Sequence, residues 1–505
     1  MEQQPPDLVL VNGRIWTWPP HGPDASALLV RGGRVAAVGD EAVVSAAAGG
    51  ARRLDLEGAT VLPGFIDAHC HLLSYGESLS RRVDLRGASS LEALQDRLRE
   101  RIRLRPPVAG EWVLGRSFDQ DRLPGARMPT AADLDAVSRE LPIVIQRVCG
   151  HALIANTRAQ ALAGVRAPEG FLAEDDMDPV WRAVPPPTTE EKVEAAALAC
   201  REAASVGYTG VHCILSAPED LAAFRELARR GPLPVHARLM IGHLELLDPP
   251  GAREAVPCRT LKLFADGSLG AHTAAMAAPY TDMPETSGRL LFTDEELSER
   301  VGRAHRAGYQ LAVHAIGDAA VAQAAAAIAA AQAAHPRPDA RHRIEHASVL
   351  SPALTDRLAL LGTIAVVQPQ FVVSDFWTGT RLGEERAAWA YPFRSMQARG
   401  VRLAGSTDCP VEALDPFESI ARAAGRAARD QRLNVPEAIA LFTRGSAFAG
   451  FQEHECGALL PGCRADLIVL AEDPRRLRPA RIARLRPELT LTAGRAVHTS
   501  GRFAV

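Results

Sequence analysis

The central part of the chain, from about residue 60 to residue 450, alternates short apolar segments with longer amphipathic ones. Strands that alternate with helices in this way are typical of a parallel sheet covered by helices. Eight segments have the length and apolar character of strands, at residues 60–69, 141–148, 207–215, 259–266, 309–317, 342–348, 362–370 and 401–408. The pattern predicts an α/β fold with a (β/α)8 TIM-type barrel, whose chemistry lies at the C-terminal ends of the strands. A doubly wound open sheet is the alternative, but no GxGxxG or P-loop motif supports it.

Both chain ends have a different pattern, in which short apolar runs are separated by glycine turns. In the N-terminal stretch, Asn12-Gly13 and Gly32-Gly33 are hairpin-turn dipeptides, which predict a small antiparallel sheet. The phrase VNGRIWT near the start resembles TAGRAVHTSGR near the end, so we expect both ends to pair into one composite β-sandwich domain. The predicted boundaries are residues 1–59 and 451–505 for the β domain and residues 60–450 for the barrel.

Size and composition fit an enzyme of more than one domain. The chain has 505 residues, 47% of them hydrophobic, and a formal net charge of -3, so nothing indicates a nucleic acid or a membrane as partner. Its eight cysteines include no CxxC pair and do not indicate a disulfide framework. The N-terminus lacks the pattern of a signal peptide, and no apolar run reaches transmembrane length. We therefore expect a cytoplasmic protein that acts on a small-molecule substrate, with homodimer formation as a further expectation.

His69-Cys70-His71 closes the apolar segment VLPGFIDAHCH and is the first candidate site. Side chains alternate along a strand, so His69 and His71 face the same side and Cys70 packs behind the barrel wall. Two neutral imidazoles on one face, at the end of a buried strand, form half of a metal site. The alternative is a strand end with two surface histidines, because HxH is a common pattern by itself.

Four later strands also carry reactive residues, namely Lys262, His314, His346 and Asp408. His314 alone is compatible with a buried core histidine, and His346 follows Glu345 and could form half of an ion pair. Asp408 could cap the helix that follows. A lysine buried in the apolar run RTLKLFAD needs an anion partner, a Schiff-base role or a modification that removes its charge. Because the strand ends of a barrel converge, the joint occurrence of these residues predicts a single metal site.

Several motifs together resemble the amidohydrolase superfamily, and more closely its amidohydrolase 3 branch, which includes N-substituted formamide deformylase-type hydrolases. These motifs are PGFIDAHCH, DLDAVSRELPIVIQRVCGHALIANTRAQALAG, KLFADGSLGAHTAAM, LAVHAIGDAA, RIEHAS, GSTDCPV and LLPGCRADLIVL. The resemblance covers nearly the whole chain and is specific for the branch, but not for a substrate. It implies a metal-bearing (β/α)8 barrel with a composite β domain from both chain ends.

The resemblance also implies a set of metal ligands and a divalent metal cofactor, with one or two ions per chain. Zinc is favoured because imidazole and carboxylate ligands suit it, with iron, manganese or nickel as alternatives. In related proteins the matching lysine bridges two metals where it is carboxylated, which would remove the charge of a buried cation. The implied ligands are His69 and His71 for one ion, His314 and His346 for the second, Lys262 between them, and Asp408.

The activity that the resemblance implies is metal-dependent hydrolysis of a carbon–nitrogen bond other than a peptide bond, of amide or N-substituted formamide type. Water activated by the metal is the nucleophile, and Asp408 takes its proton and passes it to the leaving nitrogen. A deaminase or a cyclic-amide hydrolase on the same scaffold is the alternative. A non-catalytic regulator has less support, because it would predict an incomplete ligand set.

Four further residues are candidates for substrate binding. Asp119 and His151 match motifs of the branch, although Asp119 is equally compatible with a surface turn. His212 lies near a strand end, where a packing role is as well supported, and Gln368 belongs to the seventh predicted strand.

Two positions depart from the pattern of the branch, which usually has tryptophan there. Phe118 precedes Asp119 and Cys409 follows Asp408. We therefore expect a smaller pocket wall that carries a thiol, which leaves the size of the substrate open.

Overall fold

The computed structural model describes residues 6–18, 24–108, 110–147 and 152–503, and an eight-stranded parallel barrel lies at its centre. Each barrel strand pairs in parallel with the next one along the sheet. The last and first strands are joined by backbone hydrogen bonds, from Asp408 to the carbonyl of His69 at 2.9 Å and from His71 to the carbonyl of Cys409 at 2.7 Å. The predicted α/β barrel is thereby confirmed. Its strands are Phe65–Cys70, Tyr208–Ile214, His236–Ile241, Cys258–Phe264, Gln310–Ala315, Arg343–His346, Ile364–Val367 and Arg402–Gly405.

One of the eight predicted barrel strands was wrong. The segment at 141–148 contains the strand Ile143–Arg147, which belongs to a separate five-stranded sheet. The barrel strand that the sequence pattern missed is His236–Ile241. Two basic residues, His236 and Arg238, interrupt its apolar run, whereas the continuous apolar run of 143–145 does not reveal which sheet it joins.

The chain divides into two compact units, Met1–Leu72 with Cys200–Val505, and Leu73–Ala199. This division differs from the predicted one, and the predicted boundaries at residues 59 and 450 stay a prediction. In the second unit, the sheet covers an apolar core that includes Phe118, Leu94 and Leu98. Its strands are, in spatial order, Phe171–Ala173, Ala152–Ala155, Ile143–Arg147, Val113–Phe118 and Arg82–Asp84. Its helices include Leu91–Leu104, Ala131–Asp135, Thr157–Ala163 and Asp178–Ala183.

In the first unit, the two chain ends form two further sheets. Thr60–Pro63 pairs antiparallel with Leu467–Leu470, so one sheet contains strands from both ends. Leu10 from one sheet and Val469 from the other belong to the same buried cluster, as expected for a sandwich. The first sheet has the order Arg34–Gly39, Ala27–Arg31, Leu8–Val11, Arg52–Asp55. The second has the order Arg495–Thr499, Leu489–Thr492, Leu467–Leu470, Thr60–Pro63, Arg14–Trp16, Asp24–Ala25.

The two predicted hairpin turns have different outcomes. Gly32 and Gly33, with φ of +53° and +75°, join two antiparallel strands as predicted. Asn12-Gly13 is not a hairpin turn, because the strands before and after it belong to different sheets. The chain passes from one sheet to the other at Gly13. A Cβ atom at this position would lie only 2.5 Å from Leu56 Cδ1, so the close approach favours glycine. The sheets are also mixed rather than purely antiparallel, since Leu8–Val11 runs parallel to Arg52–Asp55.

Helices follow most of the barrel strands and cover the barrel. Asp294–Arg306 begins with a capping box, in which Thr293 and Glu296 each bond to the backbone of the other. Within the described ranges, no helix is both long and apolar enough to cross a membrane. The two unit boundaries fall within the helices Leu72–Arg81 and Thr189–Ser205. The helices of the first unit include Glu41–Ala48, Pro218–Arg230, Asp294–Arg306, Asp318–Ala334, Pro352–Leu361, Phe371–Ser374, Thr378–Ala387, Phe393–Ala398, Pro416–Gly425, Val435–Ala440, Ser446–Ala449 and Pro479–Ile482.

A pair of buried histidines lies beneath the sixth strand. His342 Nδ1 accepts the backbone N–H of Leu311 at 3.1 Å, so its proton is on Nε2 and is donated to His305 Nδ1 at 2.8 Å. His305 Nε2 then donates to the carbonyl of His335 at 2.6 Å. Burial, with the charge of Arg337 also contributing, lowers the pKa of His342 to about 3. Both rings are therefore neutral in the folded protein.

This pair should make the fold sensitive to acid. A histidine whose folded pKa is depressed stabilises the fold fully above its unfolded pKa of about 6.5, and that stability is lost as the pH falls toward the folded value. We expect the free energy of unfolding to fall from pH 7.5 to pH 5 by about 1–2 kcal/mol less in His342→Asn than in the unmodified protein. Denaturant unfolding at both pH values measures this, with His454→Asn, a histidine whose side chain is 93% exposed, as control. An equal pH dependence in all three proteins would contradict the assignment.

Candidate metal centre

Four histidine side chains converge at the C-terminal ends of the barrel strands. His69 lies on the first strand with His71 just after it, and His314 and His346 lie on the fifth and sixth. Their ring centroids follow one another at 5.8 Å from His71 to His69, 4.9 Å from His69 to His346, and 4.5 Å from His346 to His314. The structure thus brings together residues that are up to 277 positions apart.

Asp408 completes a compact donor group with two of these histidines. Its Oδ1 atom lies 3.3 Å from His69 Nε2 and 3.4 Å from His71 Nε2. One ligand atom from each of the three residues lies within 4.8 Å of the others. Asp408 has the left-handed φ of +58°, which turns its side chain toward the imidazoles after the strand has ended.

The charges and bonds of this group fit a bound cation. Asp408 Oδ1 is buried and makes no hydrogen bond within the described ranges. Burial alone would raise the pKa of Asp408, but the charge of His69 and the close approach of the His69 and His71 rings outweigh it and hold the pKa well below its usual range. Two imidazole nitrogens and a carboxylate oxygen are a donor set that zinc accepts.

A buried ion pair orients His69 from behind. Glu345 contacts His69 Nδ1 with one carboxylate oxygen, which leaves His69 Nε2 for the metal side. Arg343 donates to both oxygens of Glu345, at 2.7 and 2.9 Å, and to the carbonyl of Ala68 at 2.5 Å. Although burial opposes it, the charge of Arg343 holds the pKa of Glu345 far below its usual range.

This role of Glu345 and Arg343 was not predicted from the sequence. An ion pair between His346 and Glu345 was considered, whereas Glu345 pairs with Arg343 and His69. His346 has a left-handed φ of +73°, so it leaves the strand alternation and can reach the site from the position next to Glu345. The sequence does contain a signal for the pair of Arg343 and Glu345, because two opposite charges two positions apart in RIEH must share one face of a buried strand.

Gln368 orients His346 rather than lining the cavity. Its amide nitrogen donates to Ser406 Oγ at 2.8 Å, so its oxygen accepts the proton of His346 Nδ1 at 2.9 Å. His346 Nε2 is then unprotonated and available as a ligand. Gln368 was predicted to bind substrate, but it is buried behind His346 and is not among the residues at the cavity surface.

His314 is held by the loop that follows the fourth strand. Its Nε2 lies 2.9 Å from the carbonyl of Gly267 and 3.5 Å from Asp266 Oδ1, so the neutral ring donates from Nε2 and presents Nδ1 as a ligand atom. Asp266 fixes this loop by accepting the backbone N–H groups of Ala275, Ile316 and Gly317 at 2.8 to 3.0 Å.

Lys262 lies on the fourth strand and is only 2% exposed. Its ammonium group has no hydrogen-bond partner among the residues that the structure describes and lies 4.4 Å from the ring centroid of Phe264. Burial lowers the pKa of Lys262 to about 8, although the nearby carboxylates of Glu345 and Asp408 oppose this effect. The observed surroundings therefore leave a buried cation without a bonded anion.

The donor group lies at the floor of a cavity of about 390 Å³. Its wall is largely apolar, with Asp375 and Tyr391 as a hydrogen-bonded polar pair on one side. Such a cavity suits a small molecule with an apolar substituent. The apolar wall is formed by Phe264, Leu269, Ile316, Phe371 and Val411.

Three other predicted substrate-binding residues lie elsewhere or outside the described ranges. His212 is buried beneath the cavity, with its Nδ1 atom 3.1 Å from Arg343 Nη1. Asp119 lies in the second unit, where its carboxylate accepts the N–H of Asp121 at 3.2 Å in a surface turn. His151 lies outside the described residues.

The expectation that the pocket wall carries a thiol was wrong. Cys409 is fully buried and is not at the cavity surface, because the chain turns at Asp408 and directs the two side chains apart. Phe118 lies in the apolar core of the second unit. Cys70 is fully buried, and its thiol contacts the carbonyl of His212 at 3.7 Å.

Comparisons with known proteins agree with this geometry. A putative amidohydrolase of Bacillus subtilis (strain 168), YtcJ, is 31% identical over 88% of this chain and 90% of its own length. N-substituted formamide deformylase of Arthrobacter pascens is 27% identical over 93% of this chain and 94% of its own length. The crystal structure of an uncharacterized metal-dependent hydrolase from Pyrococcus furiosus matches with a TM-score of 0.81 and 33% identity, over 93% of this chain and 100% of that one.

The barrel and the His-His-Asp group define a metal-dependent hydrolase. The family model described as "Amidohydrolase family" matches residues 52–498. The chain therefore belongs to the amidohydrolase family, as its motifs predicted.

The contact between Gln368 and His346 can be tested by metal binding. Gln368→Met keeps the volume but removes the acceptor that fixes the His346 ring, so we expect zinc to bind about 10- to 100-fold more weakly. Competition with a chromophoric chelator measures the affinity. Gln323→Met is the matched control, because Gln323 is also buried but bonds to Phe292 and Asp294 away from the site. Equal zinc affinity in the two variants would refute the orienting role.

Proposed function

We propose that this protein hydrolyses a carbon–nitrogen bond in a small-molecule amide or N-substituted formamide. The observation that carries the proposal is the group of His69, His71 and Asp408 at the floor of an apolar cavity of about 390 Å³. The relative with the printed name N-substituted formamide deformylase gives the substrate class further support.

In this proposal, all five side chains at the floor of the cavity would bind metal, and Asp408 would also transfer a proton. His69, His71 and Asp408 would hold one zinc ion, and His314 and His346 a second. Bound zinc makes water a stronger nucleophile at neutral pH and polarises the carbonyl that is attacked. Glu345 and Gln368 keep the imidazoles of His69 and His346 in the tautomers that bind metal.

Asp408 is the proton carrier in this proposal. Its Oδ1 atom is buried at the cavity floor, has no hydrogen-bond donor among the described side chains, and lies within 3.4 Å of two imidazoles. A carboxylate in that position can take a proton from the attacking water and release it to the leaving nitrogen. Phe264, Leu269 and Phe371 exclude bulk water and contact the substituent on that nitrogen.

Lys262 would be carboxylated in the active protein. The neutral amine nitrogen attacks the carbon of CO2, a nitrogen–carbon bond forms, and one carbon–oxygen π bond breaks with its electron pair moving to oxygen. One amine proton then leaves to solvent. The product is an anionic carbamate, which converts a buried cation without a bonded anion into an oxygen ligand. Lys262 and Lys192 are the two lysines among 57 basic residues of the chain, and arginine cannot undergo this reaction.

The role of Asp408 predicts a separation of metal binding from turnover. Asp408→Asn keeps the shape and an oxygen donor, so we expect it to retain zinc and to lose at least about 100-fold in turnover. Zinc content and release of formate or carboxylate from a panel of N-formyl and N-acyl amines measure the two effects. Asp356→Asn, which changes an exposed carboxylate, is the control. Unchanged turnover would exclude Asp408 as proton carrier, and release of ammonia alone would favour the deaminase alternative.

Carboxylation of Lys262 can be observed directly. In protein equilibrated with ¹³C-bicarbonate, we expect a carbamate signal in the carbon NMR spectrum that disappears in Lys262→Met. Lys192→Met is the matched control, since it removes the other lysine and should keep the signal. Zinc per chain should fall in Lys262→Met and stay unchanged in Lys192→Met. A missing signal in the unmodified protein, or a signal that survives in Lys262→Met, would contradict the proposal.

A further inference from the structure

A second polar cavity lies at the opposite end of the barrel from the metal centre. It has a volume of about 310 Å³ and lies near the N-terminal ends of the third, fourth and fifth strands. Arg238 comes from the third strand, Arg259 from the fourth, and Arg337 from the loop after the helix Asp318–Ala334. Among the described residues that line this cavity, none carries a carboxylate.

The three arginines are not bonded to a counter-charge in the described part of the chain. Within the part of the chain that the structure describes, none of them forms an ion pair with an acidic side chain. Arg259 Nε is buried and has no hydrogen-bond partner there. Arg337 directs its guanidinium donors to the carbonyls of His305, Gly308 and Tyr309, at 2.7 to 3.0 Å, and keeps its charge uncompensated.

Two carboxylates that follow Phe451 in the chain are engaged with other cations. Glu453 binds Arg341 at 2.7 Å, and Glu455 binds Arg464 at 2.7 Å. Burial, followed by the charge of Arg259, lowers the pKa of Arg238 to about 10. Like charges that meet in a half-buried cavity destabilise the fold unless an anion compensates them.

The polar groups between the arginines do not supply that anion. Thr260 Oγ1 donates to Gln310 Oε1 at 2.9 Å, and Gln310 Nε2 donates to the carbonyls of Arg341 and Ala449 at 2.7 and 2.9 Å. These groups satisfy one another and leave the guanidinium groups of Arg238 and Arg259 as donors without an acceptor among the described residues, whereas Arg337 already donates to backbone carbonyls. Phe451, which is 40% exposed, adds an apolar surface at the cavity.

We propose that this cavity binds a phosphate group, either as the free ion or on a small phosphate ester. A doubly charged oxyanion balances the charges of Arg238 and Arg259, and its oxygens accept the paired donors that a guanidinium presents. The charge of Arg337 adds to the attraction for the anion. The volume of about 310 Å³ holds the ion with room for a small organic part beside Phe451. The site is independent of the hydrolytic activity proposed above.

Calorimetric titration of the metal-loaded protein with inorganic phosphate, at constant ionic strength set by chloride, tests the proposal. We expect saturable binding that weakens at least about tenfold in Arg238→Gln and in Arg259→Gln. Arg357→Gln removes an exposed helical arginine and should bind phosphate like the unmodified protein. A parallel titration with glycerol 3-phosphate distinguishes the two sources, since tighter binding of the ester assigns the cavity to phosphate esters and tighter binding of the ion assigns it to free phosphate.

Thermal unfolding gives a second measurement that also checks folding. Phosphate should raise the unfolding midpoint of the unmodified protein and of Arg357→Gln, but not of the two cavity variants. Arg259→Lys keeps the charge without the paired donors, so its affinity should lie between those of Arg259 and Arg259→Gln. The proposal is overturned by a titration without phosphate-specific heat. Binding that is unchanged in both cavity variants, as expected for phosphate at the metal centre, overturns it as well.

Discussion

The closure of the barrel depends on the buried carboxylate of Asp67. Asp67 lies on the first strand and accepts the hydroxyl and the backbone N–H of Thr407, at 2.5 and 3.2 Å, just after the last strand. The same carboxylate accepts the N–H of His69 at 3.0 Å. One side chain therefore fixes the two segments that carry His69 and Asp408. The candidate donor group of His69, His71 and Asp408 forms because these segments are held next to each other. Burial raises the pKa of Asp67 to about 6, which the hydrogen bonds from Thr407 and His69 oppose.

The interior of the barrel is charged rather than apolar along one column. Arg343 and Glu345 are almost fully buried and neutralise each other, and Glu345 also contacts His69. Below them, His212 contacts Arg343 and is the register neighbour of Arg238 on the third strand. Buried pairs of this kind are worth little for stability in comparison with apolar packing. Their value here is geometric, because they fix the ring of His69, a candidate metal ligand, from the side that faces away from the cavity.

The sequence predicted what depends on local pattern and on topology. Strand–helix alternation is enough to predict a barrel, and a barrel brings His69, His314, His346 and Asp408 together whatever their distance along the chain. The sequence pattern could not show which sheet an apolar run joins, so Ile143–Arg147 was assigned to the barrel and the more polar third strand was missed. It also could not show in which direction each side chain points.

Left-handed backbone at two positions decides which side chains reach the cavity. At His346 it lets two neighbouring residues, Glu345 and His346, serve the same site from one strand. At Asp408 it sends the carboxylate inward and leaves Cys409 in the core. A strict alternation rule therefore fails at the residues that matter most for chemistry, where strained backbone is most common. The role of Gln368 was hidden for a related reason, because its partner His346 comes from another strand.

The two ends of the barrel show different solutions to the same electrostatic problem. Lys262 and the arginines at the N-terminal end are cations in surroundings that supply no bonded carboxylate among the described residues. A lysine can lose its charge by deprotonation or by modification, so it can remain in a closed interior. An arginine stays protonated, so Arg238 and Arg259, which have no bonded acceptor among the described residues, require water or an anion from outside. Of the two fully buried cations on the barrel strands, Arg343 is paired with Glu345, and Lys262, which has no bonded carboxylate among the described residues, is the one whose charge can be removed by chemical modification.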